Sequence, residues 1–502
     1  MDTFGQLLHG LAIALTPENI LWAFLGALVG TLIGVLPGLG PTAGMALLVP
    51  LSVGLEPASA VIMIAAIYYG AMYGGSTTAI LMNVPGEVSS VVTALDGYAM
   101  ARQGRGGAAL AIAAIGSFVA GLLSIILLVV LAPLVAPLAL SFGPLELCAL
   151  TALALVAAVN LAGRSLARGL LSCGLGLLIA MIGSDPVTGE GRFTFGSVEL
   201  LAGVNFIPVV VGLFAISEIL MASASGAASI YEGRLSRLYP SRSELRQSAG
   251  PIARGSLLGF FLGLVPGLSP AAASFTAYDV ERRISPSPER FGKGAIEGVA
   301  SPEAANNSAV GGGLVPLLTL GIPTSPTIAV LLGAFLVHGI TPGPLIFSEH
   351  PDVAWPFIAS MFVGNVILVL LNLPLVRIWA RIVSVPYAVI LPVILVVSFI
   401  GVYSVNSRPF DLVVMLVFGF LGYGMRRAHI PLAPMVLALV IAPIIESSFR
   451  QSLSLGGGSV LVFRQSPLAL GLLAVAVILL WTGLRSRRRE ATSDRPALEE
   501  DF

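Results

Sequence analysis

Residues 30–41 read GTLIGVLPGLGP and residues 259–270 read GFFLGLVPGLSP, an offset of 229 from 30 to 259. Gly34 and Gly263, Pro37 and Pro266, Gly38 and Gly267, Leu39 and Leu268, and Pro41 and Pro270 coincide. Both copies lie inside apolar stretches of membrane length. Proline and glycine there interrupt a helix and free backbone groups, which only protein or a watery cavity re-satisfies. Paired interruptions in two halves of one chain point to a transporter binding site.

The composition supports a membrane setting. The 502 residues are 56% hydrophobic and 10% charged, with mean hydropathy +0.95. A soluble domain is about 25% charged, so the chain reads as an all-α polytopic membrane protein. Its 57 Gly and 34 Pro suit closely packed, interrupted helices. Zero net charge leaves no nucleic-acid footprint. No basic region followed by a cleavage site opens the chain, so no signal peptide is expected. Cys148 and Cys173 read as buried small hydrophobes, without a disulfide. No two of the four histidines share metal-ligand spacing, and there is no P-loop, so neither a metal centre nor ATP hydrolysis is expected. Trp22, Trp355, Trp379 and Trp481 sit near segment ends and read as interface anchors.

Charge sets the orientation. All but four of the 26 basic residues (Arg192, Arg408, Arg450 and Arg464) fall in one set of loops. That set holds Arg102 and Arg105, Arg164 and Arg168, five arginines from Arg234 to Arg254, the run from Arg282 to Lys293, Arg377 and Arg381, Arg426 and Arg427, and the tail to Arg495. It is assigned to the cytoplasm. Segment 255–280 then has cytoplasmic loops on both sides. It must enter, turn and return as a re-entrant helical hairpin. Segment 19–53, flanked by Glu18 and Glu56, fits a hairpin opening outward. Five crossings between them invert the second copy. The predicted architecture is two inverted-topology repeats, each with a re-entrant hairpin and a discontinuous transmembrane helix, in an elevator-like arrangement. The predicted boundaries are an N-terminal interfacial segment (1–18), a first repeat (19–225), a cytoplasmic basic loop (226–254), a second repeat (255–484) and a cytoplasmic polar tail (485–502), disordered after Trp481.

The discontinuous helices are GGSTTAILMNVPG (74–86) and GGLVPLLTLGIPT (312–324), with Pro85 matching Pro323 at an offset of 238. Two hairpin tips and two broken helices give four breaks. A helix N-terminus there holds an anion without a fixed cation, and freed carbonyls suit Na⁺. The candidate substrate- and ion-binding residues are Pro37, Gly38, Pro41 and Thr42; Ser76, Thr77, Thr78, Asn83 and Pro85; Pro266, Gly267, Ser269 and Pro270; Glu303, Asn306 and Asn307; and Pro323, Thr324 and Ser325. The hydroxyls have an ordinary alternative, bonding back to their own helix. Adjacent amides at Asn306 and Asn307 are costly in a membrane without partners. Glu303 reads either as a buried functional carboxylate or as a partner of Arg290 or Lys293 at the cytoplasmic mouth. Pairing there is the reading favoured for Glu297. Asp96 is expected at the cytoplasmic surface near Arg102. No catalytic residues are assigned.

Three stretches carry a family resemblance: GTLIGVLPGLGPTAGMALLVPL, YYGAMYGGSTTAILMNVPGE and SPEAANNSAVGGGLVPLLTLGIPTSPTIAVLLG. Together they resemble the large membrane subunit of the tripartite tricarboxylate transporter family, the TctA-type permease, over about residues 15–485. The resemblance implies a multi-pass permease of the bacterial inner membrane, with its C-terminus cytoplasmic. It also implies a small four-helix membrane subunit and a periplasmic solute-binding protein as partners. Uptake of a di- or tricarboxylate coupled to Na⁺ or H⁺ follows, with no tightly bound cofactor. A homodimer is in keeping with an elevator-like fold. The alternatives are a passive anion channel and an intramembrane enzyme, for which Glu303 has no evident catalytic partner.

Overall fold

The first proline-glycine motif stops a helix at Val35, and the second stops one at Gly263. These are features of a computed structural model that describes residues 3–36, 40–83, 85–161, 165–225, 239–375, 378–379 and 387–493. Pro37 and Gly38, together with Arg164, Arg234, Arg237, Arg377, Arg381 and Arg495, lie outside the described residues. The chain forms α1 (Thr3–Ala14), α2 (Pro17–Val35), α3 (Gly40–Leu48), α4 (Pro57–Met82), α5 (Val91–Arg102), α6 (Gly106–Ala139), α7 (Pro144–Leu161) and α8 (Leu166–Ala180). A two-stranded pair follows, β1 (Gly183–Ser184) antiparallel to β2 (Gly191–Arg192). Then come α9 (Phe206–Val210), a π-helical turn (Val211–Ile216), α10 (Ser217–Ser225), α11 (Arg242–Gly263), α12 (Pro270–Ile284), α13 (Glu297–Leu320), α14 (Pro326–Val337), α15 (Ile346–Glu349) and α16 (Pro351–Asn372). The last helices are α17 (Tyr387–Asn406), α18 (Pro409–Arg427), α19 (Ala433–Leu455) and α20 (Pro467–Ser493). Among the described residues, 8 helical stretches are long and apolar enough to cross a membrane. The fold is therefore an all-α polytopic membrane protein.

Both motifs make helical hairpins. α3 turns back so that Gly44 lies against the Ile33 side chain of α2. α11 passes into α12 through Gly267, whose φ of +90° suits glycine. Each first arm lies along a long helix with almost no space between the backbones. A methyl added at Gly26, Gly30 or Gly34 of α2 would overlap the carbonyl oxygens of Met63, Ile67 or Ala71 on α4. A methyl at Gly255, Gly259 or Gly263 of α11 would overlap those of Ser301, Ala305 or Ala309 on α13. The two sets of contacts repeat residue for residue at offsets of 229 for the glycines and 238 for the carbonyls (26 to 255, 63 to 301). Small residues at a regular spacing let membrane helices approach this closely.

The long helices end in matching ways. α4 stops at Asn83 in the left-handed region (φ 57°), and α13 stops at Gly321 (φ 69°). After each stop the chain doubles back. The Gly86 amide donates to the Gly75 carbonyl at 3.4 Å, and the Thr324 hydroxyl lies where a Gly313 side chain would be. From residue 82 back to 75 is about 10 Å of helix. The interruption is thus a reversal to mid-helix depth followed by a restart. Pro85 and Pro323 lie on the returning strands, where their missing N–H leaves no donor unpaired.

The chain forms two compact units, residues 1–140 with 205–424, and residues 141–204 with 425–502. In the second unit Gly176 of α8 abuts the Met435 carbonyl of α19, and the Asn160 amide of α7 donates to the Leu479 carbonyl of α20 at 2.7 Å. The strand pair is clamped by Asp185, which accepts from Arg450 at 2.7 Å, and by Arg192, which pairs with Glu446 at 2.7 Å.

Several expectations are corrected by packing. Trp355 and Trp379 are each 2% exposed, so neither is an interface anchor. Trp355 packs beside Phe347, and the Trp379 indole donates to the Leu371 carbonyl at 2.8 Å. Asp96 is fully buried rather than superficial. It accepts from the Gly294 and Ala295 amides at 2.8 Å and from the Tyr278 hydroxyl at 2.9 Å, so donors rather than Arg102 hold it. α11 begins at Arg242, inside the stretch read as basic loop, because Ser241 and Glu244 form a reciprocal capping box. α20 continues helical to Ser493, beyond Trp481.

Gly259→Ala should cost about 1–3 kcal/mol through overpacking, lowering the melting temperature of the solubilised protein. Gly174→Ala, where nothing lies within 4 Å of the new methyl, should leave it unchanged or raised. Equal melting temperatures would contradict the close-contact account. In the other unit, the Thr188 and Val187 amides, with Arg450 behind them, hold the Asp185 carboxyl well below the usual carboxylate range. A depressed folded value stabilises above the ordinary aspartate value, about 3.9, and the stabilisation is lost as pH falls through the folded value. Hydrogen exchange across residues 183–192, corrected for intrinsic rates, should accelerate below about pH 4. Asp185→Asn should exchange quickly at neutral pH. A pH-independent rate in the wild type would refute this.

Candidate functional site

The hairpins and reversals place four helix starts at the breaks: α3, α5 with its preceding turn at Val88–Ser90, α12 and α14. Each break meets the hairpin tip of its own half. Gly86 sits against the Gly34 carbonyl, and the Gly267 amide donates to the Thr324 carbonyl at 3.0 Å. Each restart also meets the hairpin of the other half. Thr42, in the first turn of α3, hydrogen-bonds Thr327, in the first turn of α14, at 2.7 Å. This contact brings two positive helix ends together. Ser325 caps α14 by accepting from the Ile328 amide at 3.3 Å, and since Pro326 has no N–H, the Thr327 amide is the first-turn donor left for a ligand. α12 starts at Pro270, and Ser269 makes no side-chain cap bond. At the α5 start stands Glu87, whose carboxylate accepts from Ser89. That end already carries a carboxyl side chain, whereas the α3 and α14 ends carry only hydroxyls.

The candidate residues fall into two groups. Pro41, Thr42, Pro266, Gly267, Ser269, Pro270, Pro323, Thr324 and Ser325 gather around the second break and the two hairpin tips. Pro323, Thr324 and Ser325 are buried, whereas Asn83 at the first break is exposed and Pro85 is half-buried. The second group surrounds Glu303, which is fully buried. Its Oε2 accepts from the Ser76 hydroxyl and its Oε1 from the Thr93 hydroxyl, both at 2.6 Å. One turn on, the Asn307 amide nitrogen donates to the Ser117 hydroxyl of α6 at 2.7 Å and to the Asn306 side-chain oxygen at 2.7 Å. Thr77 lines the same pocket, while Thr78 bonds back to the Gly75 carbonyl at 3.2 Å. Glu303 and the second break are separated along α13 by the span from 303 to 313, about 15 Å. The structure brings the groups into one unit without merging them.

Glu297 takes the structural role expected of it, 3.8 Å from Arg290 and accepting from Gln247 at 2.5 Å. Glu303 does not pair with Arg290 or Lys293. Among the described residues no ion pair involves it.

The sequence reading missed Thr93, Thr327, Ser117, Tyr73, Asn365 and Asn372. The Tyr73 hydroxyl donates to Asn365 at 3.0 Å, and Asn372 lines the pocket beside Glu303. Two asparagines seven residues apart in apolar α16 lie on one helix face, and that spacing was a readable signal. Thr93 and Thr327 are isolated threonines that only the reversals bring into place.

Residues 20–437 match the profile of the Tripartite tricarboxylate transporter TctA family. An Agrobacterium vitis protein described as an uncharacterized 52.8 kDa protein in the TAR-I ttuC' 3' region is 46% identical over the full length of both chains. A second from the same organism, an uncharacterized protein in the TAR-II ttuC' 3' region, is 43% identical over 48% of this chain and 100% of its own. No solved structure matches. The chain belongs to the tripartite tricarboxylate transporter TctA family, a family of transporter permease subunits that functions with TctB and TctC subunits.

Thr42→Val removes the hydrogen bond joining the α3 and α14 first turns, worth about 1 kcal/mol. Uptake per membrane-inserted protein should fall, and Thr42→Ser should restore it. Wild-type uptake by Thr42→Val would remove this contact from the site.

Proposed function

We propose that this TctA-family chain carries a di- or tricarboxylate into the cell, coupled to Na⁺ or H⁺, after a periplasmic binding subunit delivers it at the outer face of the bacterial inner membrane. The observation that carries this reading is the meeting of the α3 and α14 N-terminal turns at Thr42 and Thr327. Two helix ends there offer unpaired amides and partial positive charge without a fixed cation. A carboxylate fits such a cradle, and its release needs no ion pair to break. A coupling ion held among carbonyls, amides and Glu303 offsets the charge and desolvation of the anion.

The two halves are read as inverted repeats. Ser76 of α4 meets Glu303 near the start of α13, and Tyr68, two turns earlier on α4, lies near Ser325 beyond the end of α13. That order is the one expected of antiparallel long helices. The hairpins and their long helices then move together against the remaining helices, exposing the cradle to each side in turn.

The test is uptake of a panel of radiolabelled di- and tricarboxylates by cells that express this chain with its two partner subunits. At least one carboxylate should accumulate, and Asn306→Ala and Asn307→Ala should abolish accumulation while membrane insertion persists. Wild-type uptake in both variants would remove the amides from the site. Equilibration without accumulation under any ion gradient would mark a passive channel.

A further inference from the structure

We propose that Glu303 is the proton-carrying group of this permease, its carboxyl taking up H⁺ on one side of the cycle and releasing it on the other. The proposal rests on the ion-coupled reading above and gives the ion an identity and an address. Glu303 is fully buried on α13, walled by Ser76 of α4, Thr93 of α5, and Leu110, Ala113, Ala114 and Ser117 of α6. An ionised carboxylate in such a place is costly unless a cation or several donors attend it. The ion pairs of the described residues in this unit lie elsewhere, at Arg105–Glu244, Arg254–Glu281, Arg283–Asp279 and Arg290–Glu297. Among the described residues, the carboxylate of Glu303 is bonded by two neutral hydroxyls.

The hydroxyls identify the ion. Each donates one hydrogen to a carboxylate oxygen at 2.6 Å. A hydroxyl also accepts. When one oxygen of Glu303 gains a proton and becomes a donor, Ser76 or Thr93 rotates its hydrogen away and accepts from it. The same packing satisfies both protonation states, which amide or guanidinium donors would not. A hard metal ion instead needs a shell of several oxygens around itself. Here each carboxylate oxygen is already engaged by one hydroxyl at 2.6 Å, an arrangement that suits a proton.

A second observation points to exchange with water. Glu303, Ser76, Thr77, Tyr73, Ser117 and Asn372 border a cavity of about 20 Å³, room for one water. In the next turn of α13 the Asn307 side-chain oxygen and the Asn306 side-chain nitrogen are buried without partners. Asn307 is also bonded to Ser117 on the cavity wall. The titratable groups facing Glu303 are Tyr73 of α4 and Glu87 before α5. On α5, Asp96 is occupied by Tyr278 and two amides, and the α6 wall residues carry no titratable group. At the offset of 238 the first half has Ala65 in place of Glu303, so this carboxyl is not repeated at the equivalent position. Proton uptake converts the carboxylate to the neutral acid, and release returns the carboxylate and H⁺ to water, with no other reactant.

Dicyclohexylcarbodiimide, which modifies protonated buried carboxyls, tests this on the purified full chain, with the modified peptide mapped by mass spectrometry. Glu303 should be labelled at low pH and progressively spared as pH rises. Replacing K⁺ by Na⁺ at fixed pH and ionic strength should not alter the labelling. Glu303→Gln should lose that label alone. Absence of label at Glu303 at every pH while other carboxyls react, or protection by Na⁺, would overturn the proposal, the latter in favour of a sodium site. The wild-type pH and Na⁺ series stands even if the variant fails to fold. Failure of the uptake assay would instead overturn the transport reading and leave the labelling result untouched.

Discussion

Everything in the first unit depends on glycine faces that let backbone touch backbone. α2 against α4, and α11 against α13, are held at a separation that no β-carbon permits at six positions. In hydrocarbon there is no hydrophobic force to press helices together, so close packing and polar contacts must do it. That contact fixes each hairpin along a long helix. The fixed hairpin places its tip at the reversal, and the reversal places the restart helix against the opposite hairpin. The Thr42–Thr327 bond is the last step of that chain of constraints.

The backbone repeats while the chemistry does not. Glycine contacts, left-handed stops and returning strands recur at offsets of 229 and 238 (26 to 255, 83 to 321). The polar residues do not follow them. At the offset of 238, Ser76 corresponds to Leu314, Asn306 to Tyr68 and Asn307 to Tyr69. Glu87 puts a carboxyl at one restart, and Ser325 puts a hydroxyl at the other. A shared backbone therefore carries different polar side chains at its two ends.

Much of the fold was legible because proline, glycine and charge act locally. Pro41, Pro270 and the glycines around them marked the hairpins, and Asn83-Val84-Pro85 and Gly321-Ile322-Pro323 marked the stops. The reversal after each stop was not legible, since nothing local distinguishes a chain that folds back from one that continues. The buried polar cluster around Glu303 was legible where polar residues adjoin in sequence, as at Ser76-Thr77 and Asn306-Asn307. It was illegible where a lone residue arrives through tertiary packing, as Thr93 does through α5 and Asn365 through α16. Trp355, Trp379 and Asp96 were misread for a related reason. A residue near a segment end in sequence is not near the surface when another helix covers that end.

The central claim is that the two proline-glycine motifs make hairpins opening to opposite sides of one membrane. Single cysteines at Ser241 and Ser285, before α11 and after α12, and at Thr16 and Gly54, around the first hairpin, test it in a chain whose Cys148 and Cys173 are replaced by alanine. With a membrane-impermeant thiol reagent, Ser241→Cys and Ser285→Cys should both react only from the cytoplasm, and Thr16→Cys and Gly54→Cys both only from outside. Reaction of Ser241→Cys and Ser285→Cys from opposite sides would show that the segment crosses the membrane, and the account would fail.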